Sequence, residues 1–183
     1  IQASQSVTSL LPPEWAADSL SQSWYPIDAT TVLRFDRGAE ALATYRVTGE
    51  STMQTLWSRT ARGYKVLSRR ELVVKENEYS LAIVEAMNGQ TLATFTSPEK
   101  VGGFWCIGSD LLLVLDQTLV LHLLRAADAS AIAAWRIGDT ETVDVYRLNE
   151  AMFCVSTDDG LAVMNTSGQV VCERLRVEAE DVR

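Results

Sequence analysis

The chain has 183 residues, 47% of them hydrophobic and 22% charged, which is enough apolar material for a sizeable core. A net charge of −8 sets it against a generic nucleic-acid surface, because phosphate contacts need a positive field. No run of about 18 uncharged apolar residues occurs, so no membrane span is expected; the nearest stretch, 111–124, is interrupted by Asp116, Gln117 and His122.

The chain starts at Ile1, and "IQASQSV" has neither the charged start nor the apolar stretch of a signal peptide, as expected for a piece of something longer. Residues 1–27 read as an N-terminal arm. Within "LPPEWAADSLSQSWYP" (11–26), Pro12 and Pro13 suit a helix start and Pro26 follows its end, which predicts a short helix over 12–24. Trp15, Leu20 and Trp24 form its apolar stripe. That stripe can dock on the chain's own sheet or enter a partner's groove, so Trp15 and Trp24 are candidate partner contacts.

From residue 28 to 183 the chain reads as repeated β-hairpins. "ALATYRVTG" (41–49), "TLATFTSPE" (91–99) and "AIAAWRIGD" (131–139) share a phrase in which small and aliphatic residues lead to one aromatic: Tyr45, Phe95 or Trp135. An apolar run and a short turn precede each phrase, placing hairpins near 31–47, 80–96 and 118–137, with a looser copy near 160–177. The turns "MNGQ" and "NTSGQ" carry the Asn and Gly that tolerate positive φ. Tyr45 to Phe95 is 50 residues and Phe95 to Trp135 is 40, a period typical of repeat architectures. Further strand-like runs lie between the hairpins, at 71–75, 101–108, 110–115, 142–148 and 151–156. "DLLLVL" and "LVLHLL" are continuously apolar, as in strands covered on both faces.

This pattern resembles the outer half of blades in WD-repeat and PQQ-like β-propellers, although neither a Trp-Asp pair nor a Gly-His start is present. The resemblance implies an all-β chain of about three four-stranded antiparallel blades plus a hairpin, a propeller or part of one. The alternative is two tandem antiparallel sheets resembling polo boxes, which would need helices at 12–24 and 52–62.

One segment departs from the acidic background. Residues 59–75 hold Arg59, Arg62, Lys65, Arg69, Arg70 and Lys75, opposed only by Glu71. The plain reading is a solvated face; the functional one is a docking patch for an acidic or phosphorylated protein segment. RNA fits less well, since Tyr64 is one aromatic where stacking platforms use several.

Catalytic signatures are absent from the sequence: no GxSxG, HExxH, GxxxxGK[ST] or GxGxxG occurs. The sole histidine, His122, sits in a strand-like run and reads as a hydrogen-bonded core or pocket residue. "STDDG" (156–160) reads as a hairpin turn, and Gly102-Gly103 as close strand packing. Cys106, Cys154 and Cys172 show no CxxC spacing and read as reduced, mostly buried thiols of an intracellular protein. No metal or cofactor is expected. The resemblance implies a non-catalytic interaction scaffold within a larger complex. Its rivals are a reader of acidic or phosphorylated segments, and part of a propeller enzyme using Asp144 and Tyr146.

Overall fold

The computed structural model describes residues 22–49, 52–137, 142–158 and 160–173. They form sixteen strands in four antiparallel sheets, each built from four strands consecutive in sequence. The chain divides into two compact units, 1–96 and 97–183. In the first unit, one sheet holds β1 (Gln22–Pro26), β2 (Thr31–Asp36), β3 (Ala41–Gly49) and β4 (Thr52–Thr60). The next holds β5 (Gly63–Val66), β6 (Glu71–Lys75), β7 (Ser80–Glu85) and β8 (Thr91–Thr96). In the second unit, the third sheet holds β9 (Val101–Ile107), β10 (Leu111–Asp116), β11 (Val120–Arg125) and β12 (Ala131–Arg136). The fourth holds β13 (Val143–Arg147), β14 (Met152–Thr157), β15 (Gly160–Asn165) and β16 (Val170–Glu173).

Three expectations change. The first repeat is a complete sheet rather than a lone hairpin, because β1 and β4 flank its central pair. Most of the 12–24 helix lies outside the described residues, but its end does not: Gln22–Pro26 is strand, and Trp24 pairs across to Arg34. The second helix required by the tandem-sheet alternative is likewise strand β4. Its alternation of polar residues with Met53, Leu56 and Trp57 is satisfied by pairing with β3.

The repeat is also more regular than the aromatic phrase suggested. "TLATF" and "AIAAW" lie on fourth strands, β8 and β12, whereas "ALATY" lies on a third strand, β3. The 50-residue step therefore compared unlike positions. Backbone hydrogen bonds reveal the true period. The amides of Ile27 and Asp28 donate to the Thr31 carbonyl, those of Leu67 and Ser68 to Glu71, and those of Leu148 and Asn149 to Met152. Likewise Ala86 donates to Arg70, Ala126 to Asp110 and Thr166 to Ala151. The same contact thus recurs at forty-residue steps, from Ala86 to Ala126 to Thr166. A β-bulge in the third–fourth strand pairing follows the same beat, at Ile83/Val84, Leu123/Leu124 and Val163/Met164. Bulges re-aim a strand and raise its twist, so keeping them in register gives each sheet the same curvature.

Central strands are apolar on both sides because alternate residues face different neighbours. In the first unit Leu33, Phe35 and Leu42 of the first sheet meet Leu72, Val74, Ala82 and Val84 of the second. In the second unit Leu113, Leu121 and Leu123 meet Phe153, Val155 and Met164. A polar joint reinforces the first contact: Thr44 Oγ1 (3.0 Å) and Trp57 Nε1 (2.9 Å) both donate to the Ala86 carbonyl. Beside it Gly89, at φ 73°, leaves room for the Trp57 ring; a Cβ there would lie 2.7 Å from Trp57 Cγ. Gly168, at φ 84°, sits in the same way against Ala133 and Trp135.

At the corresponding turn of the third sheet Ala129 holds φ 58°, a left-handed conformation that costs an L-residue about 1 kcal/mol. Gly89→Ala is expected to destabilise the chain by about 2 kcal/mol, combining left-handed strain with the Trp57 clash. Ala129→Gly should shift stability the other way, by up to about 1 kcal/mol. Urea midpoints of the two variants against the parent chain would check both signs.

Candidate functional site

The structure splits the basic segment in two. Arg59, on β4, lies 3.2 Å from Glu76 Oε1 through Nη2 and donates to Thr91 Oγ1 at 3.1 Å. Arg62, between β4 and β5, lies 3.5 Å from Glu40 and 3.2 Å from Glu78. Lys75 ends β6, and its ammonium is pushed below the usual range by burial and then by the Arg62 charge, with Glu78 opposing. Partly exposed ion pairs add little stability. Their effect here is to answer two of the six positive charges, Arg59 and Arg62, within the chain.

Lys65, Arg69 and Arg70 differ. All three are exposed, and among the described residues none has an ion-pair partner. Lys65 lies on β5, the edge strand of its sheet. Arg69 and Arg70 occupy the turn between β5 and β6, whose backbone is firmly held. Ser68 Oγ accepts the Arg70 amide at 3.2 Å and donates to Glu71 Oε2 at 3.0 Å. The Arg70 carbonyl accepts the Ala86 amide at 2.7 Å. Two exposed guanidinium groups are thus carried on a turn held by backbone hydrogen bonds, which suits capture of carboxylate or phosphate oxygens.

Of the arm tryptophans, Trp15 lies outside the described residues. Trp24 is half-buried on β1, with its ring 6.1 Å from Tyr45 and the Arg34 guanidinium 5.6 Å from its centroid. Sequence reasoning placed it on a helical stripe; in the sheet it packs cross-strand, where a cation–π contact adds to the burial.

The pair named for catalysis, Asp144 and Tyr146, is exposed on β13, opposite Ser156 and Cys154 respectively. Burial raises the Cys154 thiol above its ordinary range and so keeps it in the unreactive protonated form. Of the cysteines, Cys154 is buried, Cys106 partly buried and Cys172 exposed, so the expectation of mostly buried thiols fails at Cys172. No cluster of three or more potential metal ligands occurs among the described residues.

The most strongly organised polar group is one the sequence reading passed over. Asp116, 3% exposed, ends β10 and accepts the Thr118 amide and hydroxyl and the Val120 amide on Oδ1, at 2.8–3.0 Å. Its Oδ2 lies 3.0 Å from His122 Nε2. Burial pushes this carboxyl up, but His122, the Val120 amide and Thr118 together hold it below its ordinary value. The signal was available: "DQT" before an apolar run is an Asx-turn sequence. Acidic residues recur near this turn at Asp36, Glu76 and Asp158, engaging the Ala39 amide and Arg34, Arg59, and the Thr142 amide respectively. They tie down turns and strand ends, so the His122–Asp116 pair belongs to the scaffold.

No family model and no curated protein matches the chain. Solved structures do. BamB from Moraxella catarrhalis superposes with a TM-score of 0.61 at 12% identity, over 84% of this chain and 50% of that one. The WD40 domain of Toxoplasma gondii coronin gives 0.61 at 10% identity, over 82% and 45%. Kluyveromyces lactis Hsv2 gives 0.62 at 10% identity, over 79% and 47%. The chain therefore has the β-propeller fold, its four sheets being blades, and it spans about half the length of these matched chains.

Proposed function

We propose that this chain is a non-catalytic, intracellular protein-interaction scaffold whose β5–β6 turn engages an acidic or phosphorylated segment of a partner protein. A blade buries its apolar faces against its neighbours and leaves turns and strand edges for contact, so the fold presents groups rigidly. One observation carries the reading. Among the six basic residues of 59–75, Arg59 and Arg62 are ion-paired within the chain, whereas Lys65, Arg69 and Arg70 stand exposed and unpaired among the described residues. On a chain of net charge −8, a local positive turn is a selective feature rather than a general attraction for anions. Three free thiols are compatible with a reducing compartment.

The test is affinity capture with the parent chain and with Arg69→Glu/Arg70→Glu as baits, at two salt concentrations. Specific partners should be lost on charge reversal, with at least about a tenfold drop in retention, and should weaken as salt rises. Lys65→Glu alone should cost less. Partners retained equally by the double variant would show that binding lies elsewhere on the chain, and turnover lost on changing Asp144 would favour the enzyme reading.

A further inference from the structure

Strand register places a further arginine beside the basic turn. On β3, Leu42, Thr44 and Arg46 alternate onto one side of the first sheet, the side on which Leu42 packs against the second sheet. Across that contact Thr44 Oγ1 donates to the Ala86 carbonyl at 3.0 Å, and the Ala86 amide donates to the Arg70 carbonyl at 2.7 Å. Arg46 stands one two-residue step beyond Thr44, about 7 Å along the strand. It pairs with Thr31, the first residue of β2, and so lies at the end of the sheet that carries the β1–β2 turn. The β5–β6 turn, with Arg69 and Arg70, is the equivalent turn of the second sheet. Arg46 is exposed and has no ion-pair partner among the described residues. The same alternation sets Lys65 apart. Tyr64 and Val66 pack into the contact between the two sheets, so Lys65 between them lies on the far face of the second sheet. Glu71 and Glu85, opposite each other, share that far face, because Leu72 and Val84 face the first sheet. Asp28, in the β1–β2 turn, has its Oδ1 taken by the Thr30 amide and hydroxyl at 2.8 and 3.2 Å.

We propose that Arg46, Arg69 and Arg70 form one anion site across the first two sheets, and that its ligand is the phosphate of a phosphorylated protein segment rather than a carboxylate. The site rests on the role of the β5–β6 turn proposed above and adds to it a third residue and a definite ligand chemistry. A carboxylate carries one charge on two coplanar oxygens, and a single guanidinium fork satisfies both. A phosphate monoester carries a charge of about −1.5 to −2 on three terminal oxygens, which call for donors from more than one direction. Guanidinium groups delivered by two different sheets meet that need. The hydrogen bonds from Thr44 to Ala86 and from Ala86 to Arg70 tie β3 to the turn, so the spacing of the two sources is set by the fold. Three like charges gathered with no acid paired to them repel one another, and a dianion between them removes that cost. Lys65 takes no part, because its strand register turns it to the opposite face.

The test is fluorescence anisotropy on the 183-residue chain with three degenerate peptide libraries that fix phosphoserine, glutamate or serine at the centre. The phosphoserine library should bind at least about tenfold more tightly than the glutamate library, and the serine library more weakly still. Arg46→Gln should lose at least about tenfold for phosphoserine while its circular dichroism stays unchanged. Arg46→Lys, which keeps the charge but not the fork, should lose less, and Lys65→Gln under about threefold. Equal binding of the phosphoserine and glutamate libraries overturns this site and leaves an acidic-segment reader standing. So does a folded Arg46→Gln that binds phosphoserine like the parent while Arg69→Gln/Arg70→Gln does not. Binding to phosphatidic acid vesicles with no affinity for the phosphoserine library gives the phosphate to a lipid surface and overturns it as well. A parent that binds neither the phosphoserine nor the glutamate library overturns the role of the turn itself, and this site with it.

Discussion

Asp116→Ala is expected to destabilise the second unit by about 3 kcal/mol, among the largest losses available from one side chain in the chain. The carboxylate is 3% exposed and accepts four hydrogen bonds, two of them from backbone amides of its own turn. Alanine leaves those buried donors without acceptors, which costs more than the net worth of the bonds. His122→Ala should cost far less, about 1 kcal/mol, because its side chain is 20% exposed and Asp116 keeps three donors without it. Asp116→Asn should fall between, since the amide oxygen can still accept while its NH₂ group requires His122 Nε2 to act as acceptor.

The same carboxylate gives a pH signature. Its folded-state value is depressed, so its contribution is fully present above the unfolded value of about 3.9 and is lost as pH falls through the lower folded value. The stability difference between the parent and Asp116→Asn should therefore be constant near neutrality and shrink below about pH 4. Urea unfolding at a series of pH values would measure it. A difference that grows on acidification would mean that the carboxyl is protonated in the folded chain.

Phe153→Ala is expected to cost about 3 to 5 kcal/mol, the range for removing a fully buried aromatic ring. Phe153 is 0% exposed on β14 and shares a cluster with Ile107, Leu111, Leu113, Leu121 and Leu123. That cluster joins the third sheet to the fourth, so the cavity would open at the contact between sheets and not within one of them. Phe153→Leu keeps most of the volume and should lose less than about 2 kcal/mol. Chemical denaturation followed by fluorescence, with Trp105 and Trp135 packed on the cluster as reporters, would separate the two. Equal losses for Ala and Leu would show that ring shape, and not volume, governs this contact.

Much of the architecture was legible in the order of residues. Continuous runs such as "DLLLVL" and "LVLHLL" state that a strand is covered on both faces, and Asn-Gly turns state where it reverses. Those signals are local, so a strand-rich chain with a forty-residue beat could be deduced without coordinates. Tertiary structure decided what depends on pairing partners. Tyr45 resembles Phe95 and Trp135 in its local phrase, yet it sits on a third strand, because register is set by the strand opposite and not by the phrase. Trp24 fits a helical stripe as well as a strand, and its pairing with Arg34 settles the matter. The six positive charges of 59–75 look alike in sequence. Glu76, just past the segment, and Glu40 and Glu78, brought in by the fold, reduce the open cluster to Lys65, Arg69 and Arg70. Local chemistry determines which elements a chain can form; only long-range contact determines which of its charges remain unspent.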